Sequence, residues 1–295
     1  MNRRNFLQGA TGIGILGATS TAASGLGERK NMGVKWQIGC YNRPWGAWSY
    51  DVALEKMHEA GFQTTGILGE HKGETFLNPE STPEYLDTLK KRIASHHLKA
   101  TQGRLHIRHD NPLDEAISLT HKQIDHARQL NLKSVMALGT SNPAEYEHFY
   151  KVMTETAIYA AHHKIQLVFK PHGGCSADSD DILRCIERVD HSNFHLWYDA
   201  GNIIHYTGKD PVKEAERVAR HVSGFCAKDC AMQHGDVMLQ FGTGKVDFVG
   251  VFRVLKEAGF KGPVMIECCA GKTVEEVTTN AAANRHFLES LFQNL

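Results

Sequence analysis

The chain has 295 residues, of which 41% are hydrophobic and 22% charged, so it can bury a large core, and no stretch has a disordered composition. Its 33 basic and 33 acidic residues give a formal net charge of zero, which disfavours a polyanionic partner such as nucleic acid. No apolar run beyond residue 24 approaches the roughly 20 residues that span a bilayer. Residues 25–295 are therefore predicted to form one globular domain without a membrane span.

The first 24 residues have the pattern of an export signal. Arg3 and Arg4 precede a weakly apolar, Gly- and Ala-rich run over residues 9–18, and small residues follow through Ser24. This pattern resembles a twin-arginine signal, with cleavage expected near Ala23 or Ser24. An ordinary flexible N-terminus is the alternative. The resemblance predicts a periplasmic or extracellular protein.

Strand and helix signals alternate through the rest of the chain. Short apolar runs predict eight strands, at residues 35–40, 64–68, 99–103, 134–138, 166–170, 194–199, 222–227 and 264–267. Amphipathic periodicity and cap signals such as Thr82-Pro83 predict eight helices, at residues 51–60, 82–97, 112–130, 143–163, 178–189, 211–221, 248–258 and 274–292.

This alternation predicts an α/β fold, and at this length a (β/α)8 TIM barrel. Parallel strands need helical crossovers, and eight such units can close on themselves. A doubly wound open sheet is the alternative. That fold usually has a glycine-rich phosphate-binding turn after its first strand, and residues 39–43 do not form one.

The seven cysteines give no sign of a disulfide framework. Their number is odd and their spacing is not compact, so free and mostly buried thiols are predicted. Cys226 and Cys230 have a C-x3-C spacing without a matching second pair, which is a weak indication of zinc.

Chemically active side chains stand at the ends of the last four predicted strands. A charge at the end of a buried strand is costly to desolvate, so its repetition indicates a function. α/β barrels place their active sites at the carboxyl ends of the strands. We therefore expect one cavity to receive Lys170 and His172 from the fifth strand, Asp199 from the sixth, Cys226, Lys228 and Asp229 from the seventh, and Glu267 from the eighth.

Four motifs give the chain a resemblance to the xylose-isomerase-like barrel superfamily. They are Asp199-Ala-Gly-Asn202, Cys226-Ala-Lys228-Asp229, Gly242-Thr-Gly244-Lys-Val-Asp247 and the segment from Gly259 to Glu267. The superfamily contains sugar and sugar-phosphate isomerases, epimerases and related dehydratases. The resemblance extends over essentially the whole mature chain and is most specific between residues 170 and 267.

The resemblance implies a divalent metal bound by strand-end residues. Members typically use a glutamate, an aspartate, a histidine and a glutamate on strands five to eight. Asp199 and Glu267 match this pattern, whereas Lys170 and Cys226 replace the first glutamate and the histidine. A protonated lysine cannot bind a metal, so His172 and a Cys226 thiolate are the expected substitutes, with zinc or manganese as the ion. The alternatives are a turn-capping role for Asp199 and a salt bridge in which Lys170 fills the vacated metal position.

The resemblance implies the catalytic roles, and residue type and position near the strand ends indicate the substrate contacts. Glu267 and Lys170 are the expected proton carriers, Lys170 acting as a base if burial near a metal lowers its pKa, with Lys228 as a further catalytic group. The expected substrate contacts are Trp45 and Trp48 as an aromatic platform, His106, His205 on a loop after the sixth strand, and Asp229. Core packing of the tryptophans and a rim ion pair between Lys228 and Asp229 are the alternatives.

The first functional hypothesis is a metal-dependent sugar isomerase or epimerase that forms an enediolate by removing a proton beside a carbonyl group. A lyase or dehydratase acting on a keto-sugar or oxidised glycoside is the second. A barrel that binds a carbohydrate without catalysis is the third. All three predict a small carbohydrate ligand and leave open whether the chain forms a homo-oligomer.

Overall fold

The structure is a closed barrel of eight parallel strands, seen in a computed structural model that describes residues 34–295. We number the barrel strands β1 (Ile38–Tyr41), β2 (Thr64–Ile67), β3 (Lys99–Arg104), β4 (Ser134–Leu138), β5 (Gln166–Lys170), β6 (Phe194–Tyr198), β7 (Val222–Ala227) and β8 (Val264–Ile266). Each strand pairs with the next, and β8 closes on β1 through the register Ile38 to Val264. The predicted TIM barrel is confirmed. The predicted export signal lies outside the described residues.

Helices cover the outside of this barrel. They are α1 (Tyr50–Glu59), α2 (Pro83–Ser95), α3 (Leu113–Gln129), α4 (Tyr146–His162), α5 (Ser179–Val189), α6 (Ala200–Thr207), α7 (Pro211–Val218), α8 (Phe248–Glu257) and α9 (Val274–Gln293). Eight of the nine correspond to predicted helices. The additional helix, α6, occupies the segment directly after β6 where a loop was expected.

Local capping explains where several helices begin. The Thr82 hydroxyl accepts a hydrogen bond from the backbone of Tyr85, as the cap signal before α2 predicts. At α9, Thr273 and Glu276 form a capping box, in which each side chain accepts from the other residue's backbone N–H. These bonds satisfy amide groups that have no partner inside the helix.

Two apolar clusters make up the core. The larger one fills the space between the sheet and the surrounding helices. The smaller one lies inside the barrel and consists of Tyr41, Met136, Val168, Trp197, Cys226 and Met265. Cys226 therefore belongs to the packed interior of the barrel.

Two further findings complete the description of the fold. All seven cysteines are free and buried, which confirms the prediction of free thiols. Among residues 34–295, no helix is both long enough and apolar enough to cross a membrane.

Candidate active site

A cavity of about 370 Å³ opens at the carboxyl ends of the barrel strands. Lys170 reaches it as the last residue of β5, and Glu267 as the first residue after β8. Its other lining residues are Asn42, Arg43, Gly46, Leu68, Glu70, His71, Arg104, Met136, Leu138 and His172. Side chains from opposite sides of the barrel thus share one cavity, as the strand-end positions predicted.

Two lysines and two carboxylates form a buried ion cluster at this cavity. Lys170 Nζ lies 3.0 Å from Asp199 Oδ2 and is also hydrogen-bonded to Glu267 Oε2. Lys228 Nζ lies 3.1 Å from Asp199 Oδ2 and 3.1 Å from Glu267 Oε1. All four side chains are at least 95% buried. Each ammonium group therefore bridges the two carboxylates.

Arg43 adds a third cation to the cluster. It lies two residues beyond β1, and its Nη1 donates to Glu267 Oε1 over 2.7 Å. Glu267 thus accepts from three cationic side chains. Three positive groups face two carboxylates, which leaves one positive charge in excess.

The ion pairs shift the pKa values of their members. Burial acts to lower the pKa of Lys170, but Glu267 and Asp199 outweigh it and hold that pKa well above its ordinary value. Burial acts to raise the pKa of Glu267, and Lys170, Lys228 and Arg43 together hold it well below its ordinary value. Both lysines are therefore protonated and Glu267 is ionised at neutral pH. The expected role of Lys170 as a neutral base requires a lowered pKa, whereas in this structure the two neighbouring carboxylates raise it.

Comparison with known proteins places this barrel in a family. A model of the family described as Xylose isomerase-like TIM barrel matches residues 54–291. The chain belongs to this family. The family resemblance inferred from the strand-end motifs is thereby confirmed.

One curated relative matches part of the chain. It is an inosose dehydratase from Geobacillus kaustophilus, 28% identical over 151 residues. The alignment covers 44% of this chain and 48% of that enzyme. The chain therefore matches about half the length of this family member.

Solved structures confirm the fold over most of the chain. A xylose isomerase domain protein from Planctomyces limnophilus superimposes with a TM-score of 0.69 at 19% identity, covering 89% of this chain and 100% of that one. A xylose isomerase-like TIM barrel protein from Mycobacterium smegmatis, in complex with magnesium, gives 0.72 at 15% identity, covering 88% and 98%. A D-tagatose 3-epimerase-like protein gives 0.70 at 17% identity, covering 88% and 97%.

The described residues include a possible metal-binding group within this family fold. Asp199, Cys226 and Glu267 can each offer a ligand atom, and these atoms lie within 4.8 Å of one another. His172, the expected additional ligand, is not in this group. Its Nε2 lies 3.2 Å from the Tyr206 hydroxyl, and burial together with the nearby lysines lowers its pKa to about 3.

The donor atoms of this group do not fit a divalent ion as they stand. Asp199 Oδ2 accepts from Lys170 and forms an ion pair with Lys228, and Oδ1 accepts from the backbone N–H of Asn202. Both Glu267 oxygens accept from cations. A divalent ion would have to displace the ammonium groups and would be repelled by them. The structure shows the two alternative uses foreseen in the sequence, since Asp199 caps α6 and Lys170 bridges the carboxylates.

Cys226 is poorly prepared to bind a metal as a thiolate. Its side chain is fully buried in the apolar barrel interior, where the Tyr41 hydroxyl lies 3.6 Å from its sulfur. Burial raises the pKa of the Cys226 thiol to about 12. The thiol is therefore protonated at neutral pH in this structure.

Three expected substrate contacts have structural positions instead. Trp45 is fully buried and donates through Nε1 to Thr278 of α9, so its ring has no face free for a sugar. Asp229 is fully buried and accepts from the backbone N–H groups of the 230–246 segment, which it holds in place. His205 lies on α6, not on a loop, and its Nδ1 contacts the carbonyl of Gly235.

Trp48 and His106 are half-buried near the mouth without lining the cavity. Sequence reasoning missed Arg43 and Arg104, which do line it. Arg104 is the last residue of β3, one residue past the predicted end of that strand. Arg43 lies two residues beyond β1, next to the segment that holds Trp45 and Trp48. The strand-end rule that identified Lys170 could have identified both arginines.

Proposed function

We propose that the chain is an enzyme that removes a proton beside a carbonyl group of a small polyhydroxylated ring or sugar and then eliminates water. The contact between Lys170 and Glu267 at the cavity carries this proposal. It places a protonated acid and an ionised base next to each other, which suits the removal of H and OH from one side of a substrate. Similarity to a relative named inosose dehydratase supports the same reaction class.

The steps balance without a cofactor. Glu267 accepts the proton from the carbon beside the carbonyl, and the bonding electrons form an enolate. The enolate then re-forms the carbonyl as the neighbouring C–O bond breaks, and Lys170 donates the proton that turns the leaving hydroxide into water. Protonated Glu267 returns a proton to Lys170 through their direct hydrogen bond. The enzyme is thereby restored and the net loss is one water molecule.

The cation cluster supplies the electrostatic part of this reaction. An enolate oxygen carries a developing negative charge, and cations already fixed in a buried site stabilise such a charge strongly. Lys228 and Arg43 both contact Glu267 Oε1. If these donors turn toward the substrate oxygen, Glu267 loses hydrogen bonds and becomes a stronger base. The excess positive charge of the cluster thus takes the electrostatic role that a divalent metal has in an enediolate mechanism.

A sugar isomerase is the second candidate. This candidate is supported because Glu267 can return the proton to the neighbouring carbon, in which case no water is lost. Epimerisation is less well served, because inverting a carbon centre requires proton carriers on its two opposite faces, and Lys170 and Glu267 contact each other.

Incubating the protein in heavy water with an inosose and a panel of keto-sugars tests the proposal. We expect a product lighter by one water, with NMR showing loss of the proton beside the carbonyl. The Glu267→Gln and Lys170→Met variants should lower the rate by about 10²-fold to 10⁴-fold, the usual contribution of an acid or base. Chelation with EDTA should leave the wild-type rate unchanged.

Three outcomes would contradict this function. An isomeric product that has lost no water and carries one deuterium beside the carbonyl, and is therefore heavier by one mass unit, would indicate the isomerase. A rate that chelation abolishes and zinc or manganese restores would show that a metal displaces the lysines. Substrate binding without exchange or elimination for any compound in the panel would indicate a non-catalytic carbohydrate-binding barrel. Circular dichroism confirms that each variant is folded before its rate is compared.

A further inference from the structure

Arg104 is a cation of the cavity that forms no ion pair with any of residues 34–295. It ends β3, lines the cavity and is half-buried. Its Nε is buried and has no hydrogen-bond partner among residues 34–295. Burial lowers the pKa of the Arg104 guanidinium, and the charge of Glu267 only partly opposes this effect. The free protein therefore holds this cation at a cost.

The other cations of the site, unlike Arg104, have carboxylate counterions. Arg43, Lys170 and Lys228 all form ion pairs with Glu267 at 3.1 Å or less. A buried charge without a partner is strongly unfavourable, and such groups are normally paired or serve a ligand. An unpaired guanidinium at the wall of a cavity therefore indicates a negative group that arrives with the substrate.

The surroundings of Arg104 leave room for such a group. Gly69 lies beside it, where an added Cβ would be 3.4 Å from Arg104 Nη1. Gly69 has a φ of +51°, which also disfavours a side chain at this position. Met136 and Leu138 provide an apolar wall in the same cavity. A volume of about 370 Å³ is near the lower end of small-molecule sites and suits a substrate with a single ring.

We propose that the substrate carries one carboxylate group, bound by Arg104, in addition to the carbonyl group on which the ion cluster acts. A guanidinium offers two parallel N–H groups that match the two oxygens of a carboxylate. Glu70, the other carboxylate that lines the cavity, is exposed and forms no ion pair with Arg104. The single excess cation of the ion cluster matches the enolate charge, and Arg104 matches a fixed charge of minus one. The substrate class is then a keto-sugar acid or a hydroxy-keto ring acid, an assignment that rests on the proposed function.

Binding measurements test this assignment without turnover. Isothermal titration calorimetry at neutral pH compares D-glucuronate, D-galacturonate and D-gluconate with the uncharged sugars D-glucose and D-galactose. We expect the acids to bind about 10-fold to 100-fold more tightly than the sugars, since a charge-assisted hydrogen bond typically contributes this much. D-Glucose 6-phosphate is titrated as a further ligand, because a phosphate is the other oxyanion that a guanidinium recognises.

Two variants separate recognition from structure. Arg104→Met should remove the preference for the acids and should raise the melting temperature of the ligand-free protein, because it replaces an unpaired, half-buried charge by an apolar chain. Arg108→Gln, a change at an exposed arginine of the same segment, controls for overall charge and should leave both quantities unchanged.

The assignment has clear failing outcomes. Acids that bind no better than the uncharged sugars, or a preference that survives Arg104→Met, would overturn it. A lower melting temperature for Arg104→Met would show a structural role for the guanidinium. Tighter binding of glucose 6-phosphate than of any acid, lost in Arg104→Met, would replace the carboxylate by a phosphate. Since no turnover is measured, these results are independent of the dehydration assay.

Discussion

At the scale of single residues, Lys170 determines the character of the site. Its ammonium group lies between Asp199 and Glu267, the two carboxylates that the sequence resemblance predicted as metal ligands. Lys228 makes the same two contacts from β7. Breaking a buried ion pair by removing one partner typically costs about 3–5 kcal/mol, so the cluster is also part of what keeps this end of the barrel folded.

Replacing Lys170 by glutamate, the residue that the sequence resemblance implies at this position, should give a larger response to metal than the wild type shows. The Lys170→Glu variant would bring three carboxylates together against Lys228 and Arg43, so its apo form should be less stable than the wild type. Added Mn²⁺ or Zn²⁺ should raise its melting temperature, since a ligand at 100 times its Kd stabilises a fold by about 2.7 kcal/mol. Differential scanning fluorimetry with and without 1 mM metal measures the shift.

The matched control for this experiment is Lys170→Met, which removes the ammonium group without adding a metal ligand. It should lose stability and show a smaller metal response than Lys170→Glu. A wild-type melting temperature that rises with metal as much as that of Lys170→Glu would contradict the replacement of the metal by lysine.

The sequence predicted where these residues lie better than it predicted which of them form ion pairs with one another. Lys170, Asp199, Lys228 and Glu267 follow buried apolar runs, and that pattern was sufficient to predict that they lie together at the strand ends, where they form one ion cluster. Their pairing depends on side-chain reach across the barrel. Residue spacing does not show that the Lys170 side chain contacts carboxylates at the ends of two different strands, β6 and β8. The sequence was therefore equally compatible with a metal site that includes His172.

At the scale of elements, α6 is the part that the sequence analysis missed. Its eight residues directly follow β6, with Asp199 as its N-cap and Gly208 in a left-handed conformation at its end. Asp199 was considered mainly as a metal ligand, and Gly201 lowers the helix propensity of the first turn. One residue thus both caps α6 and anchors the lysines, which couples the start of this helix to the ion cluster.

Gly201 is the contact through which α6 approaches Lys228. An added Cβ would lie 2.6 Å from Lys228 Cγ and 2.8 Å from its carbonyl oxygen. Alanine normally stabilises a helix by about 1 kcal/mol relative to glycine. Gly201→Ala should nevertheless lower the melting temperature and reduce kcat, because Lys228 must shift from its carboxylate partners.

A double-mutant cycle measures this coupling. If the clash with the side chain carries the effect, Gly201→Ala should cost less stability in a Lys228→Ala background than in the wild type. Equal costs in both backgrounds would assign the effect to the carbonyl oxygen alone. A Gly201→Ala variant more stable than the wild type would show that the position has no packing constraint.

At the scale of the whole molecule, alternation alone was sufficient to predict the barrel. Eight apolar strands separated by amphipathic helices leave few ways to bury both faces of a parallel sheet, and closure is the one that leaves no edge. The ion cluster and an aromatic packing cluster lie at different ends of the barrel axis. The ion cluster lies at the carboxyl ends, whereas Trp36, which precedes β1, packs against Phe252, Phe260 and Phe292 at the opposite end.

This separation predicts that a substitution in the aromatic cluster can lower the stability of the fold without lowering the activity. Phe292 is 97% buried, and its ring centroid lies 4.9 Å from those of Trp36 and Phe252. Phe292→Ala should lower the free energy of unfolding by about 3–5 kcal/mol, the usual cost of such a cavity. Its kcat/KM, measured at a temperature where the variant stays folded, should remain within about twofold of wild type, because none of these rings lines the catalytic cavity. Urea unfolding and the dehydration assay measure the two quantities on one preparation. A large fall in kcat/KM while the variant is fully folded would contradict this prediction. It would mean that aromatic packing at the end opposite the cavity fixes the geometry of the ion cluster.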